Sequence, residues 1–200
     1  MREMIMEPNL TFGLFFLLLG ILTVIRLVRS DTTRDLFWFC NIAPFVLAIS
    51  FFVNNIQLAK AMINIGLFPQ TITFFTLVYG FVSGKNNSDT KKARTYGGFY
   101  IAVELLIHVV LILALILTFS SAPTAESLKY SLIILVFLFV LTIQFTSPRW
   151  DINELYSTRM IGGGKMIRLP FHTEFWVVYA FIVAWITFFF QYALYHMVFG

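Results

Sequence analysis

Long apolar runs, each close to the length of a membrane crossing, alternate along the chain with short polar or charged separators. A helix needs about 20 consecutive apolar residues to cross the roughly 30 Å hydrocarbon layer. Six runs meet or approach that length: residues 9–28, 36–53, 58–82, 99–119, 128–146 and 174–198. The separators are RSDTTR at 29–34, NNIQ at 54–57, the stretch 84–94, SSAP at 120–123, and the longer segment 147–173. The NNIQ separator is so short that it predicts a tight hairpin between the second and third runs. In lipid a backbone N–H or C=O finds no water to bond, so crossing runs of this kind must be helical. The pattern predicts an all-α integral membrane bundle of six transmembrane helices, in a single domain covering 1–200.

The basic residues orient the bundle. Eleven of the 14 Lys and Arg fall on one side of the predicted layer: Arg26, Arg29, Arg34, Lys85, Lys91, Lys92, Arg94, Arg149, Arg159, Lys165 and Arg168. Arg2, Lys60 and Lys129 fall on the other. Basic residues concentrate on the cytoplasmic side of membrane proteins. The expectation is therefore an N-terminus and a C-terminus outside. A false or missed span would scramble this alternation. The same distribution explains the net charge of +4 by topology and leaves a nucleic-acid partner without support.

Composition narrows the class further. The chain is 59% hydrophobic and 12% charged, against about 45–50% and 25% for a soluble domain. That leaves too little polar surface to face water, and the lipid bilayer is its expected partner. The single cysteine, Cys40, excludes an internal disulfide framework. The first apolar run ends at Arg26 without a small-residue cleavage pattern and reads as a retained helix rather than a signal peptide.

Ionisable side chains at membrane depth are costly and face the interior of a bundle. Glu104 and His108 lie on the fourth run at i, i+4 spacing, on one helix face, roughly 8 Å and 14 Å in from its start. As mutual partners they share a proton, coordinate a metal, or form a structural hydrogen-bonded pair between helices. On that reading Glu104→Gln leaves folding largely intact. Cys40 and Asn41 on the second run, Gln70 on the third and Gln144 on the fifth lie at depths that allow convergence with them. Pro44 frees the carbonyl of Cys40 from the helix ladder. These six residues form the candidate binding site, a polar cavity open to the cytoplasm. Asn64, Gln191 and His196 are expected at the outer interface. Trp38, Trp176, Trp185, Tyr192 and Tyr195 are expected mostly in aromatic belts.

Catalytic and cofactor motifs are weak. The Gly162–Lys165 run lacks the spacing of a phosphate-binding loop and reads as an elbow. There is no G-x-S-x-G and no H-E-x-x-H. Glu104 and His108 supply two ligands where catalytic zinc needs three, so no metal is assigned, and the sequence names no catalytic residue or cofactor. FPQT at 68–71 and PFHT at 170–173 hint at two inverted three-helix halves, as in some transporters.

LFWFCNIAP at 36–44, NIGLFPQ at 64–70, the Glu104–His108 segment and SPRWDIN at 147–153 together resemble a family of uncharacterised prokaryotic six-span membrane proteins. That resemblance implies the plasma membrane of a prokaryote and supports the topology, without an activity to carry over. A fainter similarity is to androgen-induced-type intramembrane hydrolases of lipids, which pair a Thr nucleophile with a His. It implies His108 as the His, but the second run offers Cys40 and Asn41 where that family has its Thr. Three functions follow in order: binding or transport of a small solute or lipid through an inner-half polar cavity, lipid-acting enzyme, and structural subunit of an oligomer or membrane complex. The topology has a direct check. Cysteines introduced at Asn87 and Gly163 should be shielded from a membrane-impermeant thiol reagent in intact cells, and one at Ala122 should react. Labelling at Asn87 from outside contradicts the orientation.

Overall fold

The computed structural model describes residues 10–83, 95–146, 158–159, 166–167 and 172–200. Among the described residues six α-helices follow one another: α1 (Leu10–Arg29), α2 (Phe39–Phe52), α3 (Ile56–Val82), α4 (Gly98–Leu117), α5 (Ala125–Phe145) and α6 (His172–Phe199). All except α2 are long and apolar enough to cross a membrane, five in number. The chain is an integral membrane protein built as a helical bundle. With 14 residues, α2 extends only about 21 Å. A short antiparallel pair, β1 (Thr158–Arg159) and β2 (Met166–Ile167), brackets the glycine run. The run itself, with the elbow reading, lies outside the described residues.

Helix ends agree with the hydrophobic pattern to within three residues. The largest differences are at the starts of α2 and α5. At α2 the cause is local. Asp31 takes a left-handed conformation, φ 52°, and the Thr32 N–H returns to the Leu27 carbonyl at 2.9 Å. This closes α1 with a Schellman-type stop. A 3-10 turn over Thr33–Phe37 and an extended Trp38 then reverse the chain before α2 begins. The hairpin into α3 repeats the device. Asn54 is left-handed, φ 51°, and the Asn55 N–H bonds the Ser50 carbonyl at 2.8 Å. The Asn55 side chain then caps α3 by accepting from the Leu58 N–H at 3.0 Å. Asn and Asp tolerate this backbone region better than other non-glycine residues, which is why two such short connections are possible.

The centre of the bundle is α3, which packs against α2, α4, α5 and α6. Every residue from Ala59 to Leu67 is buried, so this stretch shows no apolar stripe; it is enclosed on all sides. The helices alternate in direction. Gly13 and Gly20 of α1 face Phe52 and Phe45 of α2, and Gly66 of α3 faces Leu111 of α4. The C-terminal turn of α1 and the N-terminal turn of α4 thus share one end of the bundle, here called the arginine end because Arg26 and Arg29 stand there. The start of α1 and the end of α6 share the other.

Small residues let these helices approach, as is usual where lipid removes the hydrophobic drive for association. A Cβ at Gly66 would overlap Phe39 of α2 and lie 2.7 Å from Leu111 Cδ1. Gly66→Val is therefore expected to lower unfolding stability by about 1–3 kcal/mol, the usual cost of overpacking. At Gly98 a Cβ meets nothing within 4 Å, so Gly98→Ala should be neutral. Thermal unfolding in detergent compares the two; equal melting temperatures for Gly66→Val and wild type contradict the packing described.

Candidate functional site

An arginine one turn from a helix end ordinarily reaches past the helix to water. Arg26, in the last turn of α1, does not: its side chain is only 3% exposed. Two acceptors and an aromatic ring meet it. Nη1 forms an ion pair with Glu104 Oε2 of α4. Nη2 donates to Asn41 Oδ1 of α2 at 2.7 Å. Asn41 is held in place by its own amide, which donates to the Asp35 carbonyl in the 3-10 turn at 2.6 Å. The guanidinium also lies 5.2 Å from the centre of the Tyr100 ring, a cation–π distance. One side chain thus ties α1, α2, α4 and the connecting turn. Burying a single charge costs several kcal/mol unless it is paired and hydrogen-bonded. Here the guanidinium and the carboxylate cancel, and Asn41 takes a further donor.

Glu104 is 13% exposed and stands six residues into α4, about 9 Å from its start. The sequence suggested His108 as its partner. The structure gives the carboxylate to Arg26 instead, while His108 Nδ1 lies 2.7 Å from the Glu104 backbone carbonyl. A carbonyl only accepts, so Nδ1 carries the proton and donates, and in the neutral ring Nε2 is the acceptor. The expectation that Glu104→Gln is silent for folding changes with this assignment, since Gln leaves the guanidinium uncompensated.

The other sequence candidates divide. Asn41 belongs to the cluster. Gln70 is 4% exposed, and among the described residues neither its amide oxygen nor its amide nitrogen has a partner. Its depth follows from the pairing of Gly66 with Leu111: one turn toward the arginine end from that pair lie Gln70 on α3 and His108 on α4. Cys40 is half-buried beside Asn41. Gln144 is exposed near the end of α5 and stands apart from the cluster. Among the described residues, no three of His, Cys, Asp and Glu gather closely enough to hold a metal ion.

Two further features were not expected from the sequence. The first is a cleft of about 310 Å³ at the arginine end, lined by Arg26, Arg29 and Ser30 of α1 and its stop, and by Tyr96, Phe99 and Tyr100 at the start of α4. Tyr100 and Tyr96 stack with centroids 5.5 Å apart. The Tyr96 hydroxyl donates to the Ser30 carbonyl at 3.1 Å and braces one wall on the other. Arg29 lies over Phe99 at 5.4 Å and is exposed. Among the described residues it has no carboxylate partner. The cleft therefore has a neutralised arginine as one wall and an uncompensated one beside it. Arg26 went unrecognised as a site residue because it was counted only as a marker of topology. The available signal was its depth: it precedes Leu27 and Val28, apolar residues still inside the helix, so it sits level with an acidic side chain entering from the same end.

The second feature lies nearer the opposite end. Asn64 and Gln191, expected at the interface, are interior. Gln191 Nε2 donates to Asn64 Oδ1 at 2.6 Å and approaches the Lys60 carbonyl at 3.4 Å, and Asn64 Nδ2 donates to Ser131 Oγ at 3.0 Å. This chain of amides joins α3, α5 and α6. Lys60 is 2% exposed. His196 remains exposed, against Tyr192 at 4.3 Å.

The chain matches no family model, no curated protein and no solved structure. Its site is accordingly read from geometry. The Arg26–Glu104 pair makes a quantitative prediction. Arg26→Gln and Glu104→Gln should each cost about 3–5 kcal/mol of unfolding stability, because each strands a buried charge. Arg26→Gln and Glu104→Gln combined should cost much less than the sum. A double-mutant cycle on chemical unfolding in micelles measures the coupling, and strictly additive losses contradict the pair.

Proposed function

We propose that this is a six-span membrane protein with both termini outside and the arginine end in the cytoplasm. On this reading it binds, and through binding carries or presents, an anionic small solute or lipid in the cleft between α1 and α4. The orientation rests on the distribution of Lys and Arg. The ligand class rests on one observation: Arg29, without a carboxylate partner among the described residues, shares a cleft with Arg26, whose charge Glu104 offsets.

The chemistry of the walls supports an anion. The guanidinium fork presents parallel donors that match the oxygens of carboxylate and phosphate. Arg26 cannot swing away to meet a ligand, because Asn41, Glu104 and Tyr100 hold it. Arg29 is exposed and can move. A fixed wall with one mobile cation suits capture followed by release. The volume of the cleft, about 310 Å³, is at the small end of ligand pockets, so it accommodates a head group or small solute and not a whole lipid. The unpartnered amide of Gln70 marks a second polar locus deeper in the bundle. A buried amide without a partner costs about 1–3 kcal/mol, a cost that a bound polar molecule at that depth would offset.

Binding of a soluble anionic head group tests the reading. Dihexanoyl phosphatidic acid titrated into the purified full chain in nonionic detergent should saturate a single site by calorimetry. Arg29→Gln should weaken it about tenfold, the loss of one charge-assisted hydrogen-bonded contact. Absence of saturable binding, or equal affinity for wild type and Arg29→Gln, contradicts it.

A further inference from the structure

We infer that the anion held by the cleft is the phosphodiester of a phospholipid in the adjoining leaflet, an inference that rests on the anion reading above. Three features of the cleft separate a lipid from a free solute.

The first is what borders its mouth. On α1, Ile25 and Val28 do not line the cleft but stand exposed on the same last turns of the helix, Val28 at 61%. On α4, Phe99 forms part of the wall and is itself exposed. In a bilayer these side chains face acyl chains. A molecule seated between the arginines and this apolar rim is half in the polar interface and half against hydrocarbon. A free inorganic anion there would lose hydration on one side and gain nothing for it. An amphiphile places its chains on that rim.

The second is charge. Among the described residues, Arg26 and Arg29 are the charged side chains lining the cleft, and Glu104 offsets Arg26. Counted over the described residues, the lining is left with one positive charge. A phosphodiester carries one negative charge, so it balances the site. A zwitterionic lipid brings its own cation, which gains nothing from Arg29.

The third is level. The cleft is made by the last turn of α1 and the first turns of α4. That is where helix ends meet the head-group layer, and Tyr side chains such as Tyr96 and Tyr100 are favoured there. The phosphates of the leaflet lie at the same height.

Native mass spectrometry of the full chain in nonionic detergent tests the inference. The probe is an equimolar mixture of phosphatidylglycerol and phosphatidylcholine with identical acyl chains. Wild type should retain one phosphatidylglycerol in clear preference to phosphatidylcholine. Arg29→Gln should reduce that retention about tenfold, and Lys129→Gln, an exposed lysine near the start of α5, should leave it unchanged. Millimolar inorganic phosphate should not displace the lipid. Equal retention of the two lipids, or unchanged retention in Arg29→Gln, overturns the lipid assignment. If inorganic phosphate itself saturates the site and displaces phosphatidylglycerol, the lipid assignment fails and the anion reading stands. If neither binds, and dihexanoyl phosphatidic acid does not either, both fail.

Discussion

A guanidinium buried among transmembrane helices has to be neutralised, and the arginine end of this protein is arranged around that requirement. The Arg26 side chain is fixed by Glu104 from α4, Asn41 from α2 and the Tyr100 ring. Each partner depends on another local feature. The left-handed Asp31 stops α1 so that the chain can double back. The 3-10 turn then offers the Asp35 carbonyl that orients Asn41. The i−4 bond from His108 to the Glu104 carbonyl ties the ring to the same turn of α4. Without the carboxylate, the guanidinium would have to leave the interior for water, drawing α1 away from α4.

The same arrangement shapes the cleft. Because Arg26 is held, its ring partner Tyr100 is held, and the stacked Tyr96 reaches across to the Ser30 carbonyl. The wall so formed is held by several contacts, and among the described residues Arg29 stands beside it without a carboxylate partner. The amide chain of Gln191, Asn64 and Ser131 has a different character. Its donors and acceptors are mostly spent on each other, and it joins helices, which is the commoner role of polar side chains in membranes.

The sequence made the architecture legible because lipid leaves few options. Apolar runs of crossing length must be helices, and their separators fall where the helices stop, within three residues. The late start of α2 was hidden because residues 36–38 are apolar and a 3-10 turn has no hydrophobic signature of its own. Asn41 and Glu104 were visible as polar residues in apolar runs, but their partner was not. Arg26 has two roles on one side chain: it belongs to the basic group that fixes topology and to the interior. Periodicity along one helix links Glu104 to His108, whereas the ion pair joins helices separated by 78 positions, Arg26 to Glu104, a relation no local pattern carries. Asn64 and Gln191 were misplaced for a related reason. Depth along a helix is readable from sequence, but the face a residue presents on a helix enclosed on all sides, as α3 is, is not.

The central claim is that a neutralised Arg26 forms the fixed wall of an anion-binding cleft at the arginine end. An experimental structure of the full chain in lipid nanodiscs, with endogenous ligands retained, addresses it most directly. The account predicts Arg26 in contact with both Glu104 and Asn41, and ordered density for an anionic group between Arg29 and the Tyr96–Tyr100 stack. An Arg26 side chain turned outward to the head-group layer, with Glu104 facing acyl chains or bonded elsewhere and the cleft closed, would contradict it.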